Sequence, residues 1–199
     1  TRAGAACMGR GSGQTTTSIR NPHMSETLLT RVPRDQLSDN ARMAWDALNE
    51  LTGTPTFVDV FAQAPELLEF AMVHFYQNIF FEGRVSEKYK QLSRLRLSMN
   101  HGCRTCNLQN LIGVGNIGYS QEQIDAMWRK DYSSFSEDEQ AVMELADELA
   151  LNNPHGKLTP ELHARLIRHF SEEDILELAL CLSIIVGLVK LSFAFGLVE

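Results

Sequence analysis

Cys103-Arg104-Thr105-Cys106 is the stretch of this chain whose residue types and spacing could carry covalent chemistry. The reactive form of cysteine is the thiolate, favoured where unpaired amides at a helix N-terminus supply partial positive charge. Gly102 interrupts a helical pattern that begins at Ser86, and the next helix starts within the C-x-x-C itself. Both sulfurs then fall in a first turn, close enough to form a disulfide once one is oxidised. One turn thus supplies an attacking sulfur and its resolving partner. Three readings stay open on these residues: a redox-active dithiol, half of a metal site, or two inert buried thiols. No second C-x-x-C or H-x-x-x-H pair completes a tetrahedral set, so neither metal nor cofactor is expected. A thioredoxin-type site would need a βαβ pattern, which the sequence lacks.

Other reactive side chains read as structural. His74, in FAMVHFYQN, lies among aromatics and reads as a packed core histidine. His155, His163 and His169 sit on or beside charged helix faces and read as surface. Cys181 lies within an apolar helix, where a thiol behaves as a small hydrophobe. GVGNIG, from Gly113, has no preceding strand to make a phosphate loop, and its glycines suit a helix end. Glu137 to Glu148 reads as an acidic helix face, not a metal site.

The elements that must hold the C-x-x-C are helical. Ser120-x-x-Gln123 and Ser136-x-x-Glu139 read as capping boxes, Ser171-x-x-Asp174 as a weaker one, and Thr159-Pro160 as an N-cap with Pro at N1. Val142, Leu145, Ala146 and Leu149 form one apolar stripe; Leu162, Leu166 and Ile167 mark a shorter one. Met43, Ala44, Ala47, Leu48 and Leu51 make a third, closed by Gly53. Pro65 opens a helix through Phe81 that is apolar on more than one face. From Ser86 to about His101, Leu92, Leu95 and Met99 are expected inward, with Lys88, Arg94 and Arg96 mostly outward. No segment alternates with period 2. The expected fold is all-α: a single-domain helical bundle of about eight helices.

Composition narrows the function. The chain has 199 residues, 44% of them hydrophobic, and a net charge of −7. That is enough apolar material for a core and too little clustered Lys and Arg for a nucleic-acid surface. Residues 1–23 read as a vector-derived leader, with Met24 as the native start and 24–199 as the domain. Arg2, Arg10, Arg20 and Cys7 fall in the leader, so the remainder carries −10 and three cysteines, Cys103, Cys106 and Cys181. An odd cysteine count without a secretory h-region suits the cytoplasm. Leu178 to Val189 is apolar but short of the ~20 residues that cross a bilayer, so it reads as a core helix and no membrane partner is expected.

The stretch Gln91 to Cys106, QLSRLRLSMNHGCRTC, resembles the core motif of the alkylhydroperoxidase D and carboxymuconolactone decarboxylase superfamily. The likeness extends from about Phe57 to the C-terminus and is specific from Gln91 to Asn110. It implies an all-helical homo-oligomer and, for the C-x-x-C branch, peroxide reduction through a dithiol–disulfide cycle. In that branch the second cysteine, here Cys106, attacks, and the first, here Cys103, resolves the sulfenic acid. The family's proton-relay Glu and His fall at Gln91 and Asn110, neither of which takes up a proton near neutral pH. Glu87, one turn before Gln91, and His101 are candidate substitutes.

The resulting expectation is a cytoplasmic thiol-dependent peroxidase or thiol–disulfide oxidoreductase with weak or specialised peroxidase activity. Its substrate would be a peroxide or disulfide, and an external thiol reductant would close the cycle. A redox-responsive or structural oligomer without turnover is the non-enzymatic alternative. A decarboxylase-type lyase acting on a small acidic lactone is the other enzymatic one.

Overall fold

A computed structural model describes residues 27–198; the leader reading and Met24 lie outside them. The described residues hold nine α-helices and no strand, which is the all-α architecture expected. In chain order these are α1 (Asp39–Thr52), α2 (Thr56–Phe61), α3 (Pro65–Glu69), α4 (Glu87–His101), α5 (Arg104–Asn116), α6 (Gln121–Trp128), α7 (Glu137–Leu149), α8 (Pro160–Leu166) and α9 (Glu172–Ala194). A short 3-10 turn, Arg34–Gln36, precedes α1, and α3 runs on as a π-helical segment, Phe70–Phe81.

The boundaries follow local chemistry. Ser120, Thr159 and Ser171 each accept an N–H of their own first turn, from Gln123 (3.3 Å), Leu162 (3.2 Å) and Asp174 (3.2 Å). Such bonds satisfy helix-start donors that have no partner within the helix. The Ser136 N–H donates to the Glu139 carboxylate at 2.9 Å, the reciprocal half of a capping box. Gly53 and Gly102 close α1 and α4 at φ 70° and 67°, the left-handed region that glycine enters without a Cβ penalty.

Helix α4 is the central element. Its Leu92, Leu95, Leu97 and Met99 are buried against Phe75 and Phe80 of the π segment, Val142 and Met143 of α7, and Leu178 and Leu182 of α9. Helix α9 is long and apolar enough to cross a membrane by those measures alone, yet it is a main packing partner of α4 and α7. A second, smaller cluster joins Leu37, Ala41, Val58 and Leu68, beside which buried Asp59 accepts hydrogen bonds from Trp45 and Arg31.

Several expected surfaces are otherwise. Arg96 is 2% exposed, its Nε donating to Asp147 at 2.6 Å and its Nη1 to the Met127 carbonyl at 3.0 Å. Lys90, a cation of the same helix for which the sequence sets no expectation, is buried as well, at 1% exposed with Nζ 2.6 Å from Glu177. A cation is tolerated inside when a carboxylate and a carbonyl replace its water. His74 is exposed, because the π winding rotates it away from the side that carries buried Phe75. Ile167 is exposed where α8 ends, and the α1 stripe is only half covered, with Met43 65% exposed.

Candidate active site

The break at Gly102 turns the chain so that Cys103 becomes the N-cap of α5. Its sulfur accepts the Cys106 N–H at 3.2 Å, a role that Ser or Asp oxygens usually fill. Both cysteines therefore sit in the first turn, where the helix dipole favours negative charge. They are joined as a disulfide with Cα atoms 5.3 Å apart. Cys103 is completely buried, whereas Cys106 is half-buried and reaches open space.

That space is an apolar cavity of about 410 Å³, a volume within the small-molecule range. Cys106 stands on its wall with Leu48 of α1, Tyr76 and Phe81 of the π segment, and Leu188 of α9. The half-covered α1 stripe is thus a cavity wall, with Ala44, Ala47, Leu48 and Leu51 all lining it. Helical periodicity marks these residues as apolar but does not tell a core contact from a cavity wall.

The frame behind the dithiol is polar and tightly tied. Asp147 of α7 accepts from Asn100 at 2.6 Å, from Arg96 at 2.6 Å and from the Tyr132 hydroxyl at 2.9 Å. Asn100 lies in the last turn of α4, so this acid fixes the approach to the Gly102 break. His101 follows it, and its Nε2 accepts the Leu151 N–H at 3.1 Å. Burial lowers its pKa to about 4, so the ring is neutral at physiological pH. Its Nδ1 is buried and has no hydrogen-bond partner among the described residues.

Gln91 and Asn110 are both inside, at 4% and 2% exposed. Gln91 Nε2 donates to Glu87 Oε1 at 2.8 Å, and Asn110 Nδ2 to the Arg94 carbonyl at 3.2 Å. The amide oxygens of both, Oε1 and Oδ1, accept no hydrogen bond among the described residues. Glu87 is half-buried at the start of α4. The structure therefore links Glu87 to Gln91 and sends His101 toward the loop after α7. Cys181, 1% exposed in α9, has its thiol pKa pushed up to about 11 by burial and stays protonated.

Two solved structures share this arrangement of helices. One is the debrominase Bmp8, as a cysteine-to-alanine variant in complex with 2,3,4-tribromopyrrole; it matches 86% of this chain and 91% of its own with a TM-score of 0.67 at 18% identity. The other is ATU0492 of Agrobacterium tumefaciens, a protein of unknown function for which an AhpD-type antioxidant defence role is suggested. It matches 68% of this chain and 91% of its own with a TM-score of 0.60 at 20% identity. The fold is that of the alkylhydroperoxidase D-like proteins. No protein-family model matches the chain. The uncharacterized protein YdfG of Bacillus subtilis (strain 168) is 24% identical over 117 residues, which is 58% of this chain and 78% of that protein. In an alkylhydroperoxidase D-like frame, the buried pair Gln91 and Asn110 stands where the resemblance places a Glu and a His.

Arg94 is the wall residue that sequence reasoning missed. An Arg among the polar positions of α4 reads as solvated, and only the tertiary position of the π segment turns it into the cavity.

Proposed function

We propose that this protein is a thiol–disulfide oxidoreductase that reduces an organic peroxide, with Cys106 attacking and Cys103 resolving. The observation that carries this reading is the unequal exposure of the pair: Cys106 stands on the cavity wall and Cys103 is completely buried beneath it. In the first step the Cys106 thiolate attacks the distal oxygen of ROOH, and the O–O bond breaks. Cys106 becomes a sulfenic acid, and the departing alkoxide takes a proton to leave as ROH. Cys103 then displaces hydroxide from that sulfur, forming the disulfide and releasing water. An external dithiol returns both electrons and closes the cycle. The suggested antioxidant role of the Agrobacterium protein supports this chemistry.

The reading includes low intrinsic speed, because Gln91 and Asn110 cannot exchange a proton and His101 is neutral and bonded to Leu151. It also includes a cytoplasmic homo-oligomer, supported by the exposed apolar side chains Leu176 and Leu180 on α9 and Phe70 and Met72 on the π segment. The debrominase neighbour favours a second electrophile, an organic halide in place of the peroxide.

The test mixes fully reduced protein with one equivalent of cumene hydroperoxide and maps the Cys103–Cys106 disulfide by mass. Wild type should form it, Cys106→Ser should stay reduced, and Cys103→Ser should accumulate sulfenic acid trapped by dimedone. Oxidation no faster than that of an ordinary thiol would overturn the peroxidase reading.

A further inference from the structure

Helix α4 carries four cations, Lys88, Lys90, Arg94 and Arg96. Three of them have a carboxylate: Lys88 pairs with Glu139 at 2.7 Å, Lys90 with Glu177 at 2.6 Å, and Arg96 with Asp147 at 2.6 Å. Arg94 makes no ion pair among the described residues. Its guanidinium lies 5.3 Å from the ring centres of both Tyr76 and Phe80. The rings hold it by cation–π attraction without neutralising its charge. Its main chain is held as well, because the Arg94 carbonyl accepts from Asn110 Nδ2. Arg94 is half-buried and, among the described residues, is the one charged side chain on the cavity wall that also carries Cys106.

A cation with no ion-pair partner among the described residues, set beside low-polarity walls, attracts an anion more strongly than it would in water. The planar guanidinium matches a carboxylate in particular, since two parallel N–H groups can meet its two oxygens. The chain's net charge of −7 does not cancel this attraction, because charges beyond a Debye length of roughly 8–10 Å are screened. The rest of the wall is mainly aliphatic and aromatic, suited to a hydrocarbon or aromatic body.

We infer that the cavity beside Cys106 takes an apolar carboxylic acid, its carboxylate on Arg94 and its body against Leu48, Phe57, Phe81 and Leu188. The substrate class of the dithiol would then be a hydroperoxide of such an acid. This names the substrate of the reaction proposed above and rests on that reading; binding itself does not.

The experiment uses the oxidised protein, which cannot turn over, and measures by calorimetry at neutral pH the binding of 4-phenylbutyrate and of 4-phenylbutan-1-ol. The two share a skeleton and differ only in the head group. Wild type should bind the acid about tenfold more tightly than the alcohol. Arg94→Gln should weaken binding of the acid until the two compounds bind alike, and Arg94→Lys should keep part of the preference. Equal binding of the two compounds, no binding of either, or a preference that survives Arg94→Gln overturns the inference. The wild-type comparison needs no variant to fold. Cumene hydroperoxide, which has no carboxylate, reports separately on the dithiol: failure there with acid selectivity intact sinks only the peroxidase reading.

Discussion

Gln91 Oε1 occupies the space beside Gly113 so closely that a Cβ on this glycine would lie 2.5 Å from it. Helices α4 and α5 thus meet through a buried amide set against a residue without a side chain. Gly113→Ala adds helix propensity worth about 0.5–1 kcal/mol but forces Gln91 aside in a packed interior, costing about 1–3 kcal/mol. The single variant should be destabilised in urea unfolding. In a Gln91→Ala background the same substitution should stabilise by about 0.5–1 kcal/mol. A sign that does not change between the two backgrounds would show that the contact is not what requires glycine.

Gln91→Glu combined with Asn110→His would restore groups able to exchange protons. A positioned acid or base contributes about 10²–10⁴-fold. The double variant should form the Cys103–Cys106 disulfide about 10²-fold faster on addition of hydroperoxide. A bell-shaped pH profile should accompany the gain, since Glu beside Glu87 would have its ionisation opposed by a like charge. Stopped-flow rates within twofold of wild type would mean that these two positions do not set the speed.

Lys90 and Glu177 bridge α4 and α9, and Glu177 also accepts the N–H groups of Arg84 at 2.9 Å and Val85 at 3.0 Å. Glu177→Gln leaves the Lys90 charge buried without its partner, which should cost about 3–5 kcal/mol. Replacing both, Lys90→Met with Glu177→Leu, should recover much of that loss, though the two backbone donors then turn to water. Urea midpoints of the two variants decide between a pair that stabilises and one that is merely accommodated.

His101 sets an acid limit. Its pKa is about 4 in the folded chain against 6.5 for a free side chain, so the unfolded state binds the extra proton between those values. Its contribution to stability is complete above about pH 6.5 and is lost as the pH falls toward 4. The urea midpoint should therefore drop between pH 7 and 5, above the range where most carboxylates titrate. His101→Gln, whose amide oxygen can take the place of Nε2 and accept the Leu151 N–H, should flatten that drop.

Much of the frame was legible because it is written locally. Ser120, Thr159 and Ser171 cap the helices they announce, and Gly102 breaks the chain where a left-handed residue is needed. The cysteine pair was legible for the same reason, being contained in one turn. Arg96 was misplaced because its partner Asp147 lies 51 residues away, and a local pattern of charges looks the same whether water or a distant acid receives it. His74 was misplaced by the π segment, whose wider winding moves each side chain off the face that a period of 3.6 assigns. The cavity was illegible because α1, α4, α9 and the π segment each supply only part of its wall.

In the proposed cycle, the complete burial of Cys103 has a kinetic consequence. A reducing thiol, like an oxidant, can meet the pair only at Cys106, so the mixed disulfide forms there and Cys103 departs as the leaving group. Oxidant and reductant must then visit one mouth in turn, never together. A protein running the proposed cycle would shuttle electrons in alternating visits, with parallel-line steady-state plots, and a tightly held oxidation product would slow its own re-reduction.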